Sequence, residues 1–481
     1  MEDNGYIKEL LTKFAAASED TVAFSLYDGQ KITNISYRQF ACDVLHAAGY
    51  FVQNNIRNKH IALIAPNNYK WIVTFFAIVV SGNVAVLLNP ALPNDMLQIQ
   101  CKKADVAIAC VEDNDFCDLR SSLPCEIQLL HLSCITSAEP MKIEEVYSES
   151  ENEPVFLMFT SGTTGTSKAV QTTSFNIRCS IGNLDEMFSI SGSDRLFSGF
   201  PLYHIAGLRC VIGILQRCKT ICIGRDIKYL MMDIPKLNPT AIAGVPVIAE
   251  SISKCFKNAK TPQEIQRFVG TKLQRIIIGG AAPKAESLQS IRDHGISTEI
   301  VYAMTETTGD ATWCVLTDDH VNSVGKPCGE MKCHIQDGEI LIKGPSVMNG
   351  YYKDPEETAK VLKEGWLHTG DLGFFDERGY LYITGRKKNV IILSNGENVN
   401  PEEIEAQFSK CPEILECLVY SDKKGICADV YTINEPAASD FIKKYNEEVP
   451  LYRQVYKVYY SSAPLEKTGS GKTKRKENVY V

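Results

Sequence analysis

No run of this chain is apolar and unbroken for long enough to cross a membrane. The longest apolar stretch, Trp71 to Leu88, is interrupted by Ser81, Gly82 and Asn83, so it reads as a helix up to Val80, a turn and a strand Val84–Leu88. An excess of positive charge is also missing. A net charge of −8 gives no hint of nucleic-acid binding. Cysteine is plentiful at 17, but the number is odd and no C-x-x-C occurs. Cys218 and Cys222 have no His-rich partner segment. Reduced, mostly buried thiols are therefore expected, rather than a disulfide framework or a zinc site. Met1-Glu2-Asp3-Asn4 is acidic and lacks the charged-then-apolar pattern of a secretion signal, so a cytoplasmic protein is expected. No internal repeat or low-complexity segment stands out. What is present, 481 residues with 44% hydrophobic and 22% charged, is the composition of a soluble globular chain of two or three domains.

Strand-like apolar runs recur between helix-like stretches at His60–Ile64, Val84–Leu88, Val106–Val111, Val155–Phe159, Thr220–Ile223 and Arg275–Ile278. That alternation predicts α/β layers with buried strands. From Gly338 the texture changes to short strands and turns, with Asp376-Glu377-Arg378-Gly379 as a hairpin turn, which predicts a β-rich subdomain. After Arg386 a small tail domain begins. In it Pro401–Ser409 reads as a helix with Asn400 at its N-cap.

The most informative segment is Thr160-Ser161-Gly162-Thr163-Thr164-Gly165-Thr166-Ser167-Lys168, directly after the run Val155–Phe159. Glycines let backbone N–H groups approach closely, hydroxyls donate, and Lys168 supplies a charge, which suits phosphate oxygens. A flexible polar surface loop has the same composition. It is not a Walker A loop, because Ser167 precedes Lys168 and Ala169 follows it. Gly471-Lys472-Thr473 also fails, with Glu466 in the first glycine position.

Further motifs follow in order: Gly279-Gly280-Ala281-Ala282-Pro283, Tyr302-Ala303-Met304-Thr305-Glu306, Gly365-Trp366-Leu367-His368-Thr369-Gly370-Asp371, Gly385-Arg386-Lys387-Lys388 and Lys467-Thr468-Gly469-Ser470-Gly471-Lys472. Together with the Thr160–Lys168 loop they resemble the adenylate-forming superfamily, which holds the acyl- and aryl-CoA synthetases, the adenylation domains of nonribosomal peptide synthetases and the luciferases. The departures are Ser167 for a usual proline, Ala169 for a glycine, Asn389 for a common Asp, and Asn395 for a glycine. Ser394-Asn395-Gly396 is similar to some long-chain acyl-CoA synthetases.

The resemblance implies an α/β fold: a large N-terminal AMP-binding domain, 1–386, of two α/β subdomains plus a β-barrel-like one, and a small mobile α+β cap, 387–481. It implies ATP, Mg²⁺ and CoA, or a phosphopantetheine, as cofactors. Thr160, Ser161, Gly162, Thr163, Thr164, Gly165 and Lys168 match the loop over the β- and γ-phosphates. Gly280, Ala281 and Ala282 match a loop along the adenine plane, and Tyr302 an aromatic stacked on it; a core tyrosine is the alternative. Thr305 matches a hydroxyl near the α-phosphate, Glu306 the Mg²⁺ carboxylate, and Asp371 with Arg386 the pair on the ribose. Lys472 matches the catalytic lysine of adenylation and Lys388 the hinge of the cap. The chemistry is attack of a carboxylate on the α-phosphorus, loss of pyrophosphate, and capture of the mixed anhydride by a thiol.

Pro201-Leu202-Tyr203-His204 resembles a segment of acyl- and aryl-CoA synthetases that puts His204 near the substrate carboxylate; a structural histidine is the alternative. No Asp or Glu lies between Arg195 and Arg225 to pair an α-ammonium, which disfavours an amino acid. Ala243-Gly244-Val245-Pro246-Val247 is expected to line the acyl pocket. Fatty and aryl acids both stay open, with a medium or long alkyl chain favoured. The thiol is expected to be CoA, with a separate acyl carrier protein as the alternative. A non-catalytic nucleotide binder is disfavoured by the presence of Lys472, Glu306 and Asp371.

Overall fold

In a computed structural model the chain is described at residues 5–135, 139–160, 167–184, 195–259, 261–393, 397–467 and 473–476. It divides into two compact units. The first takes the described residues up to Thr160, Ser167–Cys333 and Ile342–Leu367; the second takes His334–Leu341 and those from His368 onward. The expected boundary after Arg386 falls inside the second unit.

The first unit is built on two sheets. One has six strands in the order Gln128–His131, Val106–Val111, His60–Ile64, Val84–Leu88, Pro154–Phe159, Ala169–Thr173. All neighbours are parallel except the last pair, a hairpin with Phe159 opposite Ala169. The period-two alternation of a strand explains how this sheet is buried on both faces. Ile61, Leu63, Leu87 and Met158 face one apolar core, and Ala62, Ile64, Leu88 and Leu157 face another. The first of these cores also takes in Leu196, Ala243 and Ile277 of the second sheet, and Trp71, Phe75 and Phe76 of the helix Tyr69–Val80. That helix is capped by the Asn68 side chain on Trp71 N–H at 2.8 Å and ends at Ser81, so the apolar run breaks where the polar residues stand.

The second sheet has nine strands among the described residues. Its parallel middle runs Ser297–Tyr302, Arg275–Gly279, Ala241–Gly244, Arg195–Ser198, Thr220–Ile223, Val22–Tyr27, and antiparallel strands close both edges. Parallel order requires each strand to return over a long connection, and helices such as Pro246–Asn258 and Ala285–Arg292 fill that role.

In the second unit residues 371–375 of the strand Trp366–Phe375 pair antiparallel with Leu381–Arg386 around a turn that Gly379 makes possible with φ of 79°. A three-stranded sheet, Ile414–Asp422, Gly425–Thr432 and Val455–Ser461, carries the helices Pro401–Phe408 and Glu435–Glu448. The fold is thus mixed α/β, as the patterning predicts, with a smaller α+β part, as the family resemblance implies. Two details differ from expectation. Asn400 occupies the N-cap position, but its side chain donates to Glu403 Oε1 at 3.1 Å and makes no capping bond. The cysteines form no disulfide, yet Cys42, Cys117, Cys125 and Cys134 are exposed rather than buried. No helix among the described residues is long and apolar enough to cross a membrane.

Candidate active site

Four neighbouring parallel strands of the nine-stranded sheet, Arg195–Ser198, Ala241–Gly244, Arg275–Gly279 and Ser297–Tyr302, all end on the same side. The segments leaving those ends are Pro201–His204, Val245–Val247, Gly280–Ala282 and Met304–Glu306. The carboxyl edge of a parallel sheet is where open α/β folds bind ligands, because the chain leaves each strand into loops free to take polar residues. Motifs scattered over a hundred residues of sequence therefore come to one edge.

Each segment has a local reason for its shape. Gly280 has φ of 83°, a region that side chains disfavour. A Cβ on Gly279 would sit 3.3 Å from the Val301 carbonyl of the adjacent strand. Tyr302 is buried at the strand's end. After Met304 a 3₁₀ turn, Thr305–Thr307, is closed by Thr308 and Gly309 in the left-handed region. His204 stands at the N-cap of the helix Ile205–Gln216, its ring 4.9 Å from that of Tyr203. Gly207 is required there, since a Cβ would fall 2.3 Å from the Pro201 carbonyl.

Thr160 lies at the carboxyl end of Pro154–Phe159. Its N–H donates to the Lys168 carbonyl at 2.9 Å, and its own carbonyl accepts from Ser167 Oγ at 3.0 Å. Ser167, where the family resemblance leads one to expect proline, is held from outside by Gln100 Nε2 at 3.1 Å and Lys103 Nζ at 3.2 Å. The intervening Ser161, Gly162, Thr163, Thr164 and Gly165 lie outside the described residues, as do Ser394-Asn395-Gly396 and Lys472. Lys467 and Thr473, which flank the lysine loop, pair as an antiparallel bridge.

Glu306 is 8% exposed, and its Oε1 accepts from Tyr351 Oη at 2.9 Å. Burial first, and then the Glu306 carboxylate, push the Tyr351 phenol well above its ordinary value, so it stays a donor. The ring of the same Tyr351 lies 5.0 Å from Lys168 Nζ, whose ammonium pairs with Glu357. One phenol thus reaches both the carboxylate and the loop lysine. Among the described residues no cluster of three or more His, Cys, Asp or Glu could cage a metal by itself. A single fixed carboxylate fits Mg²⁺ held jointly with substrate phosphates and water.

Behind Glu306 a buried polar network fixes the turn. Arg209 donates to Asp310 Oδ1 at 3.1 Å and to Ser180 Oγ at 2.6 Å, and Asp310 also accepts from Asn183 and Ser346. Burial raises the Asp310 carboxyl, and the Arg209 charge pulls it back. The network joins the helix after His204 to the turn after Glu306.

In the second unit, Asp371 is buried and accepts from Arg386 Nε at 2.8 Å, the two standing opposite each other in the strand pair. Lys388 is exposed in a 3₁₀ turn, Lys387–Asn389, that follows.

Sequence reasoning missed Tyr351, Glu357, Arg209 and Asp310. The helix start Asp354-Pro355-Glu356-Glu357 was legible as a cap, but nothing local pointed to Lys168.

A family model described as "AMP-binding enzyme" matches residues 11–352. The 2-succinylbenzoate–CoA ligase of Oceanobacillus iheyensis is 30% identical over 414 residues, 82% of this chain and 82% of that protein. The long-chain-fatty-acid–CoA ligase of Bacillus subtilis (strain 168) is 24% identical over 548 aligned positions, covering 98% of this chain and 94% of that one. The solved structure of o-succinylbenzoate coenzyme A synthetase from Bacillus subtilis, in complex with ATP and magnesium ion, superposes with a TM-score of 0.84 at 23% identity, covering 97% of this chain and 98% of that one. The fold and motifs define an AMP-forming ligase that joins a carboxylic acid to a thiol. The chain belongs to the AMP-binding enzymes, the adenylate-forming group.

Proposed function

We propose that this ligase activates a carboxylic acid lacking an α-ammonium and passes it to CoA, with 2-succinylbenzoate as the first acid to test. The observation that carries the reading is the convergence of His204, Gly280–Ala282, Tyr302, Thr305 and Glu306 at the carboxyl ends of adjacent parallel strands. In this reading His204 meets the acid's carboxylate. Gly280, Ala281, Ala282 and Tyr302 form the adenine site, Tyr302 by its aromatic face. Thr305 donates toward the α-phosphate, and Thr160 with the loop to Lys168 takes the outer phosphates. Asp371 and Arg386 hold the ribose hydroxyls. Lys472 brings the cation that offsets charge developing at the α-phosphorus. Mg²⁺, when bound, neutralises phosphate charge and polarises the phosphoryl oxygens. Glu306 supplies its carboxylate, which Tyr351 keeps in one orientation. Lys388 is the pivot on which residues 387–481 turn between the two half-reactions.

The acid follows from two supports. Relatives 30% identical to this chain include 2-succinylbenzoate–CoA ligases. No Asp or Glu lies between Arg195 and Arg225, and Asp310, buried against that helix, is engaged by Arg209, Asn183 and Ser346. An alkanoate is the second reading, favoured by the near-full-length likeness to a long-chain-fatty-acid–CoA ligase and the apolar segment Ala243–Val247.

Pyrophosphate release, measured with 2-succinylbenzoate, a series of alkanoates and the standard amino acids, with and without CoA, tests the reading. Acid-dependent release with 2-succinylbenzoate and a thioester with CoA is expected. Release that rises with alkanoate length and then falls replaces the first acid with the second, since each buried methylene adds about 0.8 kcal/mol until the pocket is full. Preference for an amino acid refutes both. A thioester formed only on a phosphopantetheinyl carrier protein overturns CoA as the thiol.

A further inference from the structure

Lys168 does not stand alone at the end of its loop. Its ammonium is paired with Glu357, on the helix Pro355–Val361. The same carboxylate also pairs with Lys360, one turn along that helix. Glu357 is therefore shared between two lysines, and the Lys168 pair is partly open to water, with the two side chains 23% and 29% exposed. The helix carrying Glu357 is fixed in place. Asp354 caps it through Glu357 N–H, and Lys103 holds Asp354 at 3.4 Å. Tyr351 N–H donates to Thr358 Oγ1 at 2.9 Å, and Tyr352 N–H donates to the Ala169 carbonyl at 2.8 Å, next to Lys168. The carboxylate thus sits at a set place beside the lysine.

We propose that Glu357 is a counter-ion that the phosphate chain of the nucleotide displaces from Lys168, with Lys360 retaining Glu357 after the exchange. The inference rests on the reading of the Thr160–Lys168 loop as the phosphate site. The physical case is one of competing anions. An ion pair open to water contributes little, so it is easily traded for an anion of higher charge. Burying an abandoned carboxylate is costly, but Glu357 is neither deeply buried nor abandoned, because Lys360 stays with it. Lys168 meanwhile keeps its place over the Tyr351 ring. Glu357 acts through Lys168 and is a positioning residue.

The test is calorimetric binding of ATP, pyrophosphate and AMP to the full chain without any acid present, for wild type, Glu357→Gln and Lys360→Ala. Removing the competing anion should tighten ATP and pyrophosphate about two- to fivefold. Lys360→Ala should weaken both by a similar factor, since Glu357 then holds Lys168 harder. AMP, which lacks the outer phosphates, should change in neither variant. Weaker ATP binding by Glu357→Gln, equal shifts for AMP, or no shift in either variant overturns the exchange. A wild-type protein that binds AMP but neither ATP nor pyrophosphate overturns the reading of the phosphate loop, and the exchange with it.

Discussion

Tyr351 touches two of the groups on which the proposed chemistry depends. Its hydroxyl fixes Glu306 and its ring carries Lys168. Tyr351→Phe keeps the ring and removes the hydroxyl, so the two roles separate. The Mg²⁺ concentration for half-maximal activity should rise roughly tenfold, the scale of one hydrogen bond to a charged group, while ATP affinity in the absence of metal stays near wild type. Glu306→Gln should raise the Mg²⁺ requirement further; wild-type metal dependence in that variant removes Glu306 from the metal site. Glu357 carries a pH consequence. Hydrogen bonds from Lys168 and Lys360 hold its carboxyl down to about 2, from an ordinary 4.5. A depressed carboxyl is ionised above both values, so its pairing is complete above pH 4.5 and is lost only as pH falls toward about 2. The ratio of ATP affinities between wild type and Glu357→Gln should be flat from neutral pH down to 4.5. A ratio that changes with a midpoint near neutrality would assign the effect to another group.

Among the elements, the helix Ile205–Gln216 is tied to the Thr305–Asp310 turn by the buried Arg209–Asp310 pair, whose side chains are 5% and 0% exposed. Arg209→Ala leaves a buried carboxylate without its cation, and a loss of about 3–5 kcal/mol is expected. Chemical denaturation measures it; a loss below about 1 kcal/mol would show that the turn is held by other means. The proposed hinge makes a different prediction. Lys388→Pro restricts φ in the turn after Arg386, so acyl-adenylate formation should persist while thioester formation drops; unchanged CoA ligation would remove Lys388 as the pivot. Much at this scale was readable from sequence. His60–Ile64, Val84–Leu88, Val106–Val111 and Thr220–Ile223 are strands with the bounds their apolar runs give, because parallel strands buried on both faces are continuously apolar and stop at polar turns. The turn Asp376–Gly379 was equally local, but the register shift between Leu372 and Gly373, which puts Asp371 opposite Arg386 rather than Gly385, has no such local sign. The Asn400 side chain was misread because its amide is turned to donate from Nδ2 to the Glu403 carboxylate instead of accepting through Oδ1 from the N–H groups of the first turn. Lys168 with Glu357, and Arg209 with Asp310, were out of reach because each joins segments far apart in sequence, and neither half has a local signature.

At the scale of the whole molecule, the α/β sheets, the small α+β part and the order of the motifs belong to an AMP-forming ligase, which forms an acyl-adenylate and then a thioester. In the proposed function the two half-reactions make different demands on Lys472, which serves where charge develops at the α-phosphorus and not where a thiol attacks the carbonyl. The most direct measurement is mass-spectrometric identification of the products from ATP, Mg²⁺ and the preferred acid, for wild type and Lys472→Ala. Wild type should give acyl-AMP and pyrophosphate without CoA, and AMP with an acyl-CoA when CoA is added. Lys472→Ala should lose adenylate formation by about 10²–10³-fold or more, yet convert supplied acyl-AMP to thioester near the wild-type rate. Formation of ADP and phosphate in place of AMP and pyrophosphate, or an equal loss in both half-reactions of the variant, would contradict the account.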